Sequence, residues 1–142
     1  MKIERTVETT AAPAAVFAYL SDFTTTMEWD PGTVTTERVE GDGGLGTVYR
    51  NVSEFAGRRS ELRYQVVDHL PDHRFALRGE GKGAVADDVM VIEPTATGTR
   101  VTYTADIRLK GVLRLVEPLL SGAFKKLGDE AEQGLTAALA RL

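Results

Sequence analysis

Apolar residues return every three or four positions from Val112 to Leu142: Leu113, Val116, Leu120, Phe124, Leu127, Ala131, Leu135, Ala138 and Leu142. That spacing draws one stripe along a helix, so the pattern predicts a long amphipathic helix at the end of the chain. Everything before it alternates with a period of two, apart from one early break. Strands are predicted over Lys2–Thr10, Val34–Val39, Thr47–Phe55, Arg58–Val67, Arg74–Gly79, Val85–Ile92 and Arg100–Leu109. The break is Ala12-Pro13, where proline suits a helix start. A short helix to Leu20 follows, then a second one capped by Ser21-Asp22 and closed by Trp29-Asp30-Pro31-Gly32. A helix with one apolar stripe must bury it, and a sheet is the large partner available. A curved sheet gripping a long helix leaves room for a hollow between them.

Turn positions set the register. If Ile92 pairs with Val101, then Met90 faces Tyr103, Asp88 faces Ala105 and Ala86 faces Ile107. The same alternation turns Tyr49, Asn51 and Phe55 inward with Leu62, Tyr64, Val66, Phe75 and Leu77. Asn51 and Asp88 are then polar groups on an apolar face, where each needs a partner or a ligand. A carboxylate at Asp88 would have its pKa raised by desolvation unless Arg5 or Arg50 neutralised it. Arg5 itself breaks the apolar face of the first strand. Gly122, Gly128 and Gly134 interrupt the long helix, either to allow close contact or to let the helix move.

Composition narrows the chemistry. The 142 residues contain no cysteine, which removes disulfides and thiolate chemistry. A net charge of −4 with interspersed signs argues against a nucleic-acid partner. No apolar run is long enough to span a bilayer, and the amino terminus lacks a signal-peptide core, so a cytoplasmic protein without integral membrane association is expected. His69 and His73 flank Pro71, a turn that does not put both rings on one face, so no metal or other cofactor is expected. No serine sits in a Gly-x-Ser-x-Gly elbow.

Ala12-Pro13-Ala14-Ala15-Val16-Phe17, Leu20-Ser21-Asp22, Trp29-Asp30-Pro31, Gly46-Thr47-Val48-Tyr49-Arg50, Tyr64-Gln65-Val66-Val67 and Gly98-Thr99-Arg100-Val101-Thr102-Tyr103 together resemble the START-like (SRPBCC) superfamily of polyketide cyclase/dehydrase and lipid-transport proteins. The resemblance covers the whole chain and implies a single α+β domain, residues 1–142, with the helix-grip fold. In that fold a curved antiparallel sheet (β-α-α-β6-α) wraps around the carboxy-terminal helix. It also implies binding of a small hydrophobic ligand, lipid-like in character, between sheet and helix, with the protein a monomer or homodimer. The expected ligand-binding residues are Trp29, Tyr49, Asn51, Tyr64, Leu77, Asp88, Met90, Tyr103, Leu120, Phe124 and Leu127. An enzyme of the cyclase or aromatase type is the alternative, with Asp88 as its candidate acid or base. The lack of motif-spaced acid–base pairs favours a carrier over an enzyme. A protein-interaction module of the same fold is the third expectation.

Overall fold

The computed structural model describes residues 1–142. Seven antiparallel strands form one sheet: β1 (Lys2–Thr9), β2 (Thr33–Glu40), β3 (Val48–Phe55), β4 (Arg58–Leu70), β5 (Arg74–Glu80), β6 (Ala84–Pro94) and β7 (Thr99–Leu109). Their spatial order is β1-β7-β6-β5-β4-β3-β2, so β1 and β2 are the edges. Helix α1 (Pro13–Leu20), a 3-10 turn (Phe23–Thr25) and helix α2 (Thr26–Trp29) join β1 to β2. Helix α3 (Ser121–Leu139) lies across the sheet face, against β1 and α2. This is the helix-grip fold.

The register of the last hairpin follows the alternation: Ile92 opposes Val101, Met90 Tyr103, Asp88 Ala105 and Ala86 Ile107. Tyr49 likewise opposes Tyr64, and Asn51 opposes Leu62. Ile3, Val7, Val66, Phe75, Leu77, Met90, Ile92, Val101 and Ala105 are buried on the inner face. Against them α1 presents Val16, Phe17 and Leu20, and α3 presents Phe124, Ala131, Leu135, Ala138 and Leu139. Each large aliphatic side chain buried in this way contributes about 1.5–3 kcal/mol. Gly79 is a strand residue set opposite Tyr64; a Cβ there would lie 2.7 Å from the tyrosine ring, so its bare backbone is what lets that ring lie flat on the sheet.

The predicted single helix from Val112 to Leu142 is instead two pieces. Gly111–Leu120 is 3-10, entered through Gly111 at φ +58°, and the α-helix begins only at Ser121. Pro118 is the reason. It brings no N–H to an α-helical ladder, and its ring would strike the carbonyl four residues earlier. The apolar periodicity therefore continues through a segment that cannot carry it inward. Val112, Leu115 and Leu119 are 80%, 80% and 82% exposed, and no residue from Gly111 to Leu120 is fully buried. The stripe of α3 ends inward at Leu139, while Leu142 is exposed.

Two irregularities of the pattern have direct explanations. Arg5 sits on the inner face at the sheet edge and grips α3, with ion pairs to Asp129 at 2.9 Å and Glu132 at 3.6 Å. Gly128 makes room for that grip, since a Cβ there would meet the Arg5 guanidinium and Ile3 at 2.8 Å. Gly134 lies on the backbone of Trp29, where a Cβ would overlap the carbonyl oxygen and stand 2.8 Å from its carbon. These two glycines serve close approach. Gly122, with nothing near it, does not.

Candidate functional site

A cavity of about 130 Å³ opens between α3, the α2–β2 turn and the inner faces of β3, β4, β6 and β7. Most of its wall is apolar: Ile3, Leu62, Ala105, Ile107 and Ala131, with the aromatics Phe23, Phe55 and Phe124. A volume of this size holds a single ring and falls below the 300–1,000 Å³ typical of drug-sized ligands. The hollow occupies only one half of the inner face. Helix α1 packs on β5 and β6 over the other half, which is solid.

This division sorts the expected ligand-binding residues. Trp29, Asn51, Tyr64, Asp88, Tyr103, Phe124 and Leu127 all line the cavity. Tyr49, Leu77 and Met90 face inward but lie in the packed half, at 1–2% exposure, and are absent from the wall. Tyr49 instead meets Phe23 edge to face, at 5.6 Å between ring centroids. Leu120 belongs to the 3-10 segment and does not reach the wall, a consequence of the break at Pro118.

Asp88 is a buried carboxyl in the wall. Register aims it inward, while its neighbour Asp87 points outward to Arg108 at 2.7 Å and Arg78 at 3.8 Å. Neither expected counter-ion reaches Asp88: Arg5 is held by α3, and Arg50 binds Glu61 at 2.6 Å on the outer face. Only Tyr103 serves it, its hydroxyl donating to Oδ2 at 3.3 Å. The second oxygen, Oδ1, has no protein partner and is open to the cavity. Burial pushes the Asp88 carboxyl up to about 7; the nearby Asp30 carboxylate adds to the rise, and the Tyr103 hydrogen bond opposes it. The Tyr64 and Tyr103 hydroxyls are pushed well above their ordinary range by burial and by the charge of Asp88, so both remain protonated donors.

Asn51, by contrast, is largely satisfied within the chain. Its amide donates to Thr36 Oγ1 at 2.9 Å and accepts from Ser53 Oγ at 2.7 Å. Thr36 and Thr26 share a hydroxyl contact at 2.7 Å, and Thr26 donates to the Phe23 carbonyl. The polar network thus ties β3 and β2 to the start of α2 beside the cavity.

Asp30 is the wall residue that pattern reasoning passes over. It sits in a turn, Oδ1 accepting from the Gly32 N–H and Oδ2 from the Thr33 hydroxyl, both at 3.0 Å. That turn delivers the carboxylate to the hollow, and burial raises its pKa. The available signal was turn chemistry in Trp29-Asp30-Pro31-Gly32, which marks a loop without saying which way its side chains face. Trp29 itself is 2% exposed and packs edge to face on Tyr103, and its Nε1–H is buried without a partner. Such a donor costs roughly 1–3 kcal/mol to leave unmade.

His69 and His73 do not converge on a site. His69 packs edge to face between Phe17 and Phe75, whereas His73 is exposed.

A gripped helix over a one-ended hollow, with a few polar groups in an apolar wall, defines a helix-grip protein with an internal cavity. The chain belongs to the family described as polyketide cyclase / dehydrase and lipid transport, whose model matches residues 1–141. In fold it is similar to the Zhui aromatase/cyclase of Streptomyces sp. R1128, with a TM-score of 0.80, 16% identity, and 98% of this chain and 93% of that chain covered. A START superfamily protein of Mycobacterium smegmatis is alike at a TM-score of 0.79 and 15% identity, covering 97% and 96%. A protein of Thermus thermophilus reaches 0.74 at 20% identity, covering 97% and 99%. No curated protein matches the chain in sequence. None of the helices is long and apolar enough to cross a membrane.

Proposed function

We propose that this chain binds a small, largely apolar molecule in the cavity and carries or sequesters it. The observation that supports this most strongly is a hollow with apolar walls on which polar groups open without partners: Asp88 Oδ1 and the Tyr64 hydroxyl. A core evolved only to pack would fill the space or pair those groups. Affinity would come from apolar area removed from water, at about 25 cal/mol per Å², and orientation from the polar groups. Ligands larger than one ring would need the β3–β4 hairpin or the start of α3 to move.

Calorimetric titration with p-cresol tests this reading. The unmodified protein is expected to bind one equivalent. Ala131→Leu, which fills the hollow from α3 with a good helix former, is expected to weaken binding at least tenfold while circular dichroism stays unchanged. Equal affinity in the two proteins would count against the cavity as the site.

A second reading, a cyclase or dehydratase acting on a poly-keto or aromatic substrate, draws support from Asp88. A carboxyl that titrates near 7 beside a tyrosine hydroxyl is suited to moving a proton at neutral pH. The resemblance to an aromatase/cyclase is one of fold and does not by itself transfer that activity.

A further inference from the structure

The charged side chains that point into the cavity are all acidic. Two carboxylates point into it, Asp30 and Asp88, and no lysine, arginine or histidine lines it. Every arginine near these acids is already engaged or lies outside. Arg5 binds Asp129 and Glu132; Arg78 and Arg108 bind Asp87; Arg59 pairs with Glu54 at 3.4 Å on the outer face. The one cation at the wall is the Met1 amino group, which donates to the Ile107 carbonyl at 2.7 Å and to Glu117 at 3.4 Å. The two inner carboxylates, Asp30 and Asp88, are therefore buried together without a counter-ion from the chain. Around them stand the rings of Phe23, Trp29, Phe55, Tyr64, Tyr103 and Phe124, whose faces carry partial negative charge.

We infer that the cavity selects a small ligand in which a single apolar ring carries a protonated amine. This rests on the cavity being the ligand site, and it goes further by naming the ligand's charge. A ring fits the volume and the aromatic walls. An ammonium supplies what Asp88 lacks, a donor for the open Oδ1 and a positive charge between two carboxylates. An anionic head group, such as the carboxylate of a fatty acid, would enter against Asp30 and Asp88 and find no free cation to receive it. A neutral alcohol would gain one hydrogen bond but leave the charge uncompensated.

Three matched probes separate these cases: phenethylamine, 2-phenylethanol and 3-phenylpropionate, titrated into the full chain near neutral pH. Binding is followed by calorimetry and by the fluorescence of Trp29, the single tryptophan, which lies in the wall. Phenethylamine is expected to bind at least tenfold more tightly than 2-phenylethanol, and 3-phenylpropionate most weakly. Asp88→Asn and Asp30→Asn, both isosteric, are each expected to cut the amine-to-alcohol ratio at least threefold. The inference is overturned if the alcohol or the carboxylate binds as tightly as the amine, or if neither substitution changes the ratio. If p-cresol binds and phenethylamine does not, the amine class alone falls. If neither binds, the cavity reading falls with it.

Discussion

Replacing Asp88 by asparagine stabilises this protein at alkaline pH. The unfolded chain releases the Asp88 proton near the ordinary value of 3.8, whereas the folded chain holds it to about 7. Between those values the native state binds more protons, so its stability falls as pH rises. Above pH 7 the full penalty is present, of the order of 4 kcal/mol. Asparagine keeps the shape and still accepts from Tyr103 but carries no charge to desolvate. Thermal melts should show a Tm gain of roughly 10 °C at pH 8 and almost none at pH 4. A gain independent of pH, or a loss at pH 8, would mean that Asp88 is compensated in a way its surroundings do not reveal. The same variant separates carrier from enzyme: a cyclase would lose turnover on a poly-keto substrate, whereas a carrier would have none to lose.

Gly134→Ala is expected to destabilise, against the helix scale. On propensity alone alanine gains about 1 kcal/mol over glycine in a helix interior. Here the added methyl overlaps the Trp29 carbonyl, which is backbone and cannot rotate away. Helix α3 must lift from the α2–β2 turn, at a net loss of about 2 kcal/mol. Trp29 and Asp30 stand on that turn, so p-cresol binding should weaken as well. Gly122→Ala is the control. Nothing lies within 4 Å of its new Cβ, and it should be neutral or stabilising. Urea unfolding of the pair checks both signs, and equal effects would show that Gly134 is not a packing glycine.

The parts of this architecture legible in the sequence are those written with a strict period. Val101, Tyr103, Ala105 and Ile107 alternate cleanly against polar neighbours, and one turn at Gly98 suffices to pair them with Ile92, Met90, Asp88 and Ala86. A slip of one residue would have buried Asp87 and exposed Asp88, so the correct register also placed the key carboxylate. Periodicity failed where it met a local veto. Leu113, Val116 and Leu120 continue the stripe of α3, but Pro118 holds their segment out of the α-helix, and none of the three is fully buried. The two halves of the inner face were equally hidden. Tyr49, Leu77 and Met90 alternate just as Tyr64 and Tyr103 do, and only the placement of α1 over β5 and β6 and of Phe23 against Tyr49 decides which of them pack and which line the hollow. Asp30 was missed because a turn has no period from which direction can be inferred.

The claim that the cavity takes up a ring-sized molecule can be located on the protein directly. Methyl-labelled protein, mixed with p-cresol and examined for nuclear Overhauser contacts, has two apolar regions to choose between. The account predicts contacts from the ligand to Ala105, Ile107, Leu127 and Ala131. Contacts to Val112, Leu115 and Leu119 on the exposed 3-10 segment instead, or none to either group, would contradict it.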